Sequence, residues 1–390
     1  MSRKLFALVS IVAMLVSVIG VLPAAAAPPP TNDPIAMDGT PRIKNVKPPA
    51  QLNAAEAAAV VAAGETTASK CGGDNESLVV TLYSFDAAHF GSQNVVFWKE
   101  TAAGSTGKGT LWVAWDFMTN ATPTPRTDVI TCGQLATMQA SIDDIVATDV
   151  NYFGQYTQRP AGNENIDIMI YNIVDESYYD PTYTSYIAGF FSSGMQALFD
   201  RNMIFIDTYD WINRLGADAK RPFLYEGVVA HELEHLIHND RDGNEDSWVD
   251  EGLADLAGWL CGFGQPDSHV VYYLAFHRTP LTVWGGGLES YGASYLFQLY
   301  LLEHFGTKVD GVYTNTWTRK LVNEQLDSIA GIEAATGRTM KDLYDAWVVA
   351  NYLDDPSLDR GRPGAGLQRD RSEPLRFPCK RCLVHQARRH

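Results

Sequence analysis

The stretch Tyr225-Glu-Gly-Val-Val-Ala-His231-Glu232-Leu-Glu-His235-Leu-Ile-His238 runs on from Pro222 with no further proline. Its apolar flanks predict a helix over 222–237. On a helix, residues four apart lie on one face, one turn apart. His231 and His235 can therefore both reach one tetrahedral Zn²⁺ at about 2.0–2.1 Å. Glu232 follows the first of them, so its carboxylate lies beside the metal, within reach of a water in the fourth position. A general base has to stand there.

A catalytic zinc needs a third protein ligand and an open fourth corner. One solution places Gly three residues and His six residues after the second His. Here those places hold His238 and Arg241, so that solution fails. The other takes a Glu from the next helix. Trp248-Val-Asp-Glu251-Gly-Leu-Ala-Asp255-Leu-Ala provides one, sixteen positions after His235 and beyond the polar loop 239–247. So short a loop returns the second helix antiparallel to the first. Asp255 shares a helix face with Glu251. It is placed to accept the Nδ1–H of a metal-bound His, with His231 the expected partner.

His-Glu-x-x-His followed by Glu-x-x-x-Asp resembles the gluzincin metallopeptidases, of which thermolysin is the familiar member. Trp248 to Ala254 is similar to a pattern of the hyicolysin-like secreted bacterial peptidases. Met203-Ile-Phe-Ile-Asp207, Tyr291-Gly-Ala-Ser-Tyr-Leu-Phe297 and Asp345-Ala-Trp-Val-Val-Ala-Asn-Tyr-Leu-Asp-Asp355 agree with it. The resemblance spans 131–355. It implies a thermolysin-like catalytic domain, with His231, His235 and Glu251 as ligands, Glu232 as base and Asp255 behind the ligands. Tyr291, before Gly292, resembles the oxyanion-stabilising Tyr of aminopeptidase-type gluzincins, and also reads as a packing aromatic.

Elsewhere in the chain, short β-type runs come first: 78–83, 94–98 and 109–115. A helix with one apolar stripe follows over 131–153, then strands at 166–174, 186–191 and 203–207. Helices are expected at 248–261, 290–305, 314–324, 326–336 and 340–353. Strands first and helices later predict an α+β fold. The organisation read from this is a signal peptide at 1–27, a linker or short prosegment at 28–65, a β-rich region at 66–125, the catalytic domain at 126–355 and a basic, disordered tail at 356–390. The strand 186–191 offers an edge with which a substrate backbone can pair.

The 390 residues carry a formal net charge of -16, which argues against nucleic-acid binding. Arg3 and Lys4, the apolar run Leu5 to Leu22, and the small residues Ala24 to Ala27 form the pattern of a secretory signal peptide. Secretion permits disulfides, and Cys71 with Cys132 is the expected pair, while Cys261 reads as a buried thiol. Cys379 and Cys382 lack a second ligand pair for a zinc knuckle. Asp240, Asp242, Asn244 and Asp246 alternate as Ca²⁺ ligands often do, but Gly243 misplaces the EF-hand turn, so a solvated acidic loop is expected. His238 reads as a helix-end His favourable to the dipole. His89, His269, His277 and His304 have no partner spacing and read as structural.

The expected function is a secreted zinc metallopeptidase acting on protein or peptide substrates through a metal-activated water, without stable membrane insertion after signal cleavage. The alternatives are an inactive, metal-binding, adhesin-like secreted protein and a zinc hydrolase of non-peptide bonds.

Overall fold

Residues 33–86, 91–102, 107–118, 128–162, 164–180 and 182–353 are described by a computed structural model. The segment expected as a signal peptide, 1–27, and the tail expected to be disordered, 356–390, lie outside them. Among the described residues the strands are β1 (Ile35–Asp38), β2 (Ser77–Leu82), β3 (Gln93–Lys99), β4 (Gly109–Val113), β5 (Ile166–Ile170), β6 (Ser185–Phe191), β7 (Asn202–Ile206) and the short hairpin β8 (Lys308–Val309) and β9 (Val312–Tyr313). The helices are α1 (Thr40–Ile43), α2 (Ala54–Ala63), α3 (Cys132–Phe153), α4 (Glu176–Tyr179), α5 (Ser193–Phe199), α6 (Trp211–Arg214), α7 (Leu224–Asn239), α8 (Ser247–Leu260), α9 (Asp267–Ala275), α10 (Leu288–Phe305), α11 (Thr316–Val322), α12 (Ser328–Thr336) and α13 (Met340–Leu353).

Alternation along the central strands builds two cores, because successive side chains leave a strand on opposite faces. Ile166, Ile168 and Ile170 of β5 and Ile204 and Ile206 of β7 face the helical layer with α3 and α7. Met169, Met203, Phe205 and Phe190 face the other side, with Trp112, Tyr171 and Met195. The sheet order is β1-β6-β7-β5-β4-β3-β2. β4, β5 and β7 run parallel, and β6 runs antiparallel to β7. β4–α3–β5 is thus a crossover unit that places α3 on the sheet. The chain is a mixed α and β structure, strand-rich in its N-terminal part and helical in its C-terminal part. One sheet joins β2, β3 and β4 to β5, β6 and β7, so it runs across the boundary expected at residues 125 and 126.

The stretch expected as a linker or short prosegment contains β1 and α1. β1 pairs parallel with β6 and forms the sheet edge beyond it. α2 begins with an Asn53–Glu56 capping box, as its Ala-rich sequence allows, and buries no residue. Cys71 and Cys132 form the expected disulfide, which ties the chain ahead of β2 to the start of α3. Cys261 is buried, and its thiol meets Asp149 Oδ1 at 3.4 Å.

α7 is central. It packs on β6 and β7, on α3 and on α8, and every residue from Val229 to His238 is buried. α8 returns against it and in turn packs on α10. α9 lies on α10 so closely that a Cβ at Gly292 would stand 2.1 Å from the His269 carbonyl oxygen. That contact fixes Gly292 and sets the neighbouring Tyr291 ring against His269, with centroids 4.9 Å apart. No helix among the described residues is long and apolar enough to cross a membrane.

Candidate metal centre

Two turns of α7 bring His231 and His235 to one face, their Nε2 atoms 3.2 Å apart. From the second turn of α8, Glu251 Oε2 stands 3.3 Å from His231 Nε2 and 3.6 Å from His235 Nε2. A fourth group arrives from β1: Asp38 Oδ2 lies 3.4 Å from His235 Nε2 and 4.0 Å from His231 Nε2. Four donors at about 2.05 Å from a common tetrahedral centre stand about 3.3 Å apart. The separations found here are close to that edge length. The buried set Asp38, His231, His235 and Glu251 can therefore hold a metal ion.

The outer partners support the same reading. His231 Nδ1 meets Asp255 Oδ1 at 3.1 Å, the pairing the sequence leads one to expect. His235 Nδ1 meets Asp250 Oδ1 at 3.0 Å. Each carboxylate holds a proton on Nδ1 and turns the Nε2 lone pair inward. Two lone pairs then face each other across 3.2 Å, which a cation between them relieves. Asp38 Oδ1 accepts from the Thr40 amide and hydroxyl, both at 2.8 Å, while the buried Oδ2 has no hydrogen-bond partner. Glu251 Oε2 likewise has none. These unmatched atoms are the ones that converge, so the donor set fits a divalent cation.

The electrostatics agree with the geometry. Burial acts to lower the His231 pKa, but hydrogen bonds with Asp255 and Glu251 overcome it and hold that pKa well above normal. His235 is raised in the same way, against burial, by Asp250 and Glu251. Metal binding therefore competes with protons at these nitrogens. Burial raises the Glu232 carboxyl well above its usual range, and the nearby Asp38 charge adds to that. Glu232 Oε2 lies 3.4 Å from Thr40 Oγ1, while its buried Oε1 has no partner.

Asp38, Asp250 and His269 are not legible as site residues in the sequence. Asp250 also meets Lys44 Nζ at 2.7 Å. His269, expected to be merely structural, meets Asp255 Oδ2 at 2.8 Å and so braces the carboxylate behind His231. The only sequence signal for Asp250 is its place beside Glu251, and nothing local marks Asp38.

Three expectations need correction. The fourth corner is not open, because Asp38 stands in it. The β6 edge is not vacant, because β1 pairs with it. His238 does lie in the last turn of α7, as expected, but it is 1% exposed, with Nδ1 3.4 Å from Asp250 and 3.6 Å from Glu234. The acidic loop after it is not solvated throughout: Asp242 is buried and, with His238 and Glu245, forms a group that could hold a metal ion. Asp240 binds Arg159 at 2.7 Å and Asn244 binds Asp327 at 2.8 Å. No ligand cluster among the described residues contains Asp240 or Asp246.

Tyr291 is buried between His269 and Trp284, and its hydroxyl donates to the Asp38 carbonyl oxygen at 3.1 Å. A cleft of about 630 Å³ opens beside the site, lined by Met37, Phe223, Val228, Glu232, Phe263 and His269 among others.

No known family model matches the chain, and no curated protein is significantly similar to it.

Proposed function

We propose that this chain is a secreted zinc metallopeptidase of the gluzincin type with a thermolysin-like catalytic domain. The observation that carries the reading is the near-tetrahedral convergence of His231, His235 and Glu251 with Glu232 beside them. Two imidazoles and a carboxylate are a common donor set for catalytic zinc. Zinc held there would polarise the scissile carbonyl and make a water acidic enough to lose its proton near neutral pH.

The remaining chemistry belongs to the side chains. Glu232 takes the water's proton and delivers it to the leaving amine, a role its burial-raised basicity suits. Asp255 and Asp250 hold the imidazoles in the ligating tautomer. The Tyr291 hydroxyl already reaches a backbone carbonyl, and the same donor offered to a substrate carbonyl stabilises the developing oxyanion. The signal-like segment Leu5 to Leu22 and the Cys71–Cys132 disulfide support export.

A second reading is an inactive, metal-holding secreted protein. The Asp38 carboxylate at the fourth corner favours it, because structural zinc sites are closed by four protein ligands. The buried Glu232 favours the enzyme, because a purely structural site has no use for a buried carboxylate beside its metal with one oxygen, Oε1, unpartnered.

Metal analysis of the purified chain, paired with cleavage of a peptide library by its Asp38→Ala variant with and without chelator, tests the proposal. One zinc per chain, and hydrolysis lost on chelation, are expected. A folded chain with no affinity for zinc overturns it.

A further inference from the structure

The sheet edge that a substrate peptide would need is already taken by this chain's own residues. β1 lies along β6 in parallel register, with Ile35 opposite Ser185 and Asp38 opposite Gly189. The register shifts between Met37 and Asp38, at the point where the Asp38 side chain turns to the imidazole pair. Three groups of the proposed catalytic apparatus are engaged with the same few residues. Tyr291 donates to the Asp38 carbonyl, Thr40 Oγ1 lies against Glu232 Oε2, and His269 Nε2 meets the Ala36 carbonyl at 3.2 Å.

The segment is anchored at both ends. Arg214, which has no exposed side-chain surface, binds Asp33, and Arg221 meets the same carboxylate at 3.0 Å. At the other end Lys44 Nζ donates to Asp250 Oδ2 and to the Glu245 carbonyl, each at 2.7 Å. Two clefts flank the site, and the segment walls both. Ala36, Met37 and Asp38 line one, and Thr40 with residues 43–47 lines the other. Lifted away, the segment would leave one groove passing Glu232 and His235.

We propose that residues 33–47 are an inhibitory plug, with Asp38 in the coordination corner that the attacking water needs and β1 on the β6 edge that an extended peptide substrate needs. This rests on the metallopeptidase reading and adds how that activity is held off. The plug is released by hydrolysis of a backbone amide within 47–70, where one water is added and a carboxylate and an amine are formed. That stretch includes α2, which buries no residue. The disulfide at Cys71 keeps the chain beyond the cut tied to α3, so the plug leaves without loosening the sheet.

The test uses the full-length zinc-loaded chain, its Asp38→Ala and Asp38→Asn variants, and a chain with a site-specific protease sequence placed in α2. Zinc content is measured, and acetohydroxamate binding is followed by calorimetry. Both substitutions and the cut chain should keep one zinc. They should bind acetohydroxamate on the order of 100-fold tighter, the factor lost when only about 1% of molecules are open. Mass spectrometry should show the N-terminal fragment leaving after the cut. Equal hydroxamate affinity with zinc retained in every form overturns the plug and leaves the metal reading intact. Zinc lost on Asp38→Ala marks Asp38 as a permanent ligand and also overturns it. A wild-type chain without zinc overturns the metallopeptidase reading itself.

Discussion

Gly189 and Glu232 approach so closely that no side chain fits between them. A Cβ on Gly189 would stand 2.8 Å from Glu232 Oε1, 2.7 Å from Val228 Cγ1 and 2.9 Å from the Phe205 carbonyl oxygen. The proposed general base is thus held between α7 and the β6–β7 face of the sheet. Gly189→Ala should force that carboxylate aside, since the Phe205 backbone cannot yield. Overpacking of this kind costs about 1–3 kcal/mol, and a misplaced base loses roughly 100-fold in kcat. Urea unfolding, and peptidase kinetics in an Asp38→Ala background with zinc retained, would check this; unchanged kcat would contradict it.

Glu232→Gln keeps the shape of the side chain and removes its basicity. In an Asp38→Ala background, where the corner is free, the Gln variant should hold one zinc and lose about 10²–10⁴ in kcat. Metal analysis beside steady-state kinetics reads both. Full turnover in the metal-replete variant would remove Glu232 from the mechanism.

Asp255 and Asp250 each hold one imidazole by its Nδ1. Asp255→Asn and Asp250→Asn should each weaken zinc binding about 10–100-fold. Competition with a chelator of known affinity measures the loss. If only Asp255 matters, the partnership between Asp250 and His235 carries no weight.

Glu226 is buried near the start of α7, accepts the Gly216 amide at 2.9 Å and is raised by burial to about 7. An unfolded Glu titrates near its ordinary value of 4.5. Folding therefore favours the neutral form. The stability this lends is fully present below about pH 4.5 and is lost as pH rises through about 7. Each pH step of one between those two values is worth about 1.4 kcal/mol, so the loss is on the order of 3 kcal/mol. Wild type should thus lose stability relative to Glu226→Gln between about pH 4.5 and about pH 7. Parallel urea curves across that range would count against it.

Much of the fold is legible because the local signals agree. Apolar alternation marks β5, β6 and β7. Thr131 caps α3 through a capping box with Gln134, and Thr339 Oγ1 accepts the Asp342 amide at the start of α13. α9 and the hairpin β8–β9 escape notice, being short and without clear periodicity. β1 is hidden for the same reason. Ile-Ala-Met-Asp follows a Pro-rich run and becomes a strand only because the β6 edge receives it.

The candidate metal triad can be read from the chain alone. Its spacings, i to i+4 on one helix and a Glu beyond a short loop on the next, are local geometry, and helices obey local geometry. The Asp255 partnership is legible in the same way, and the Cys71–Cys132 pair from the few cysteines that an exported chain places in its N-terminal part. What stands at the fourth corner is not. Asp38 lies 193 residues before His231 in the chain, and no periodicity spans such a gap. Its place comes from strand pairing with β6 and from two arginines and a lysine that hold its flanks, contacts that exist only once the sheet has formed.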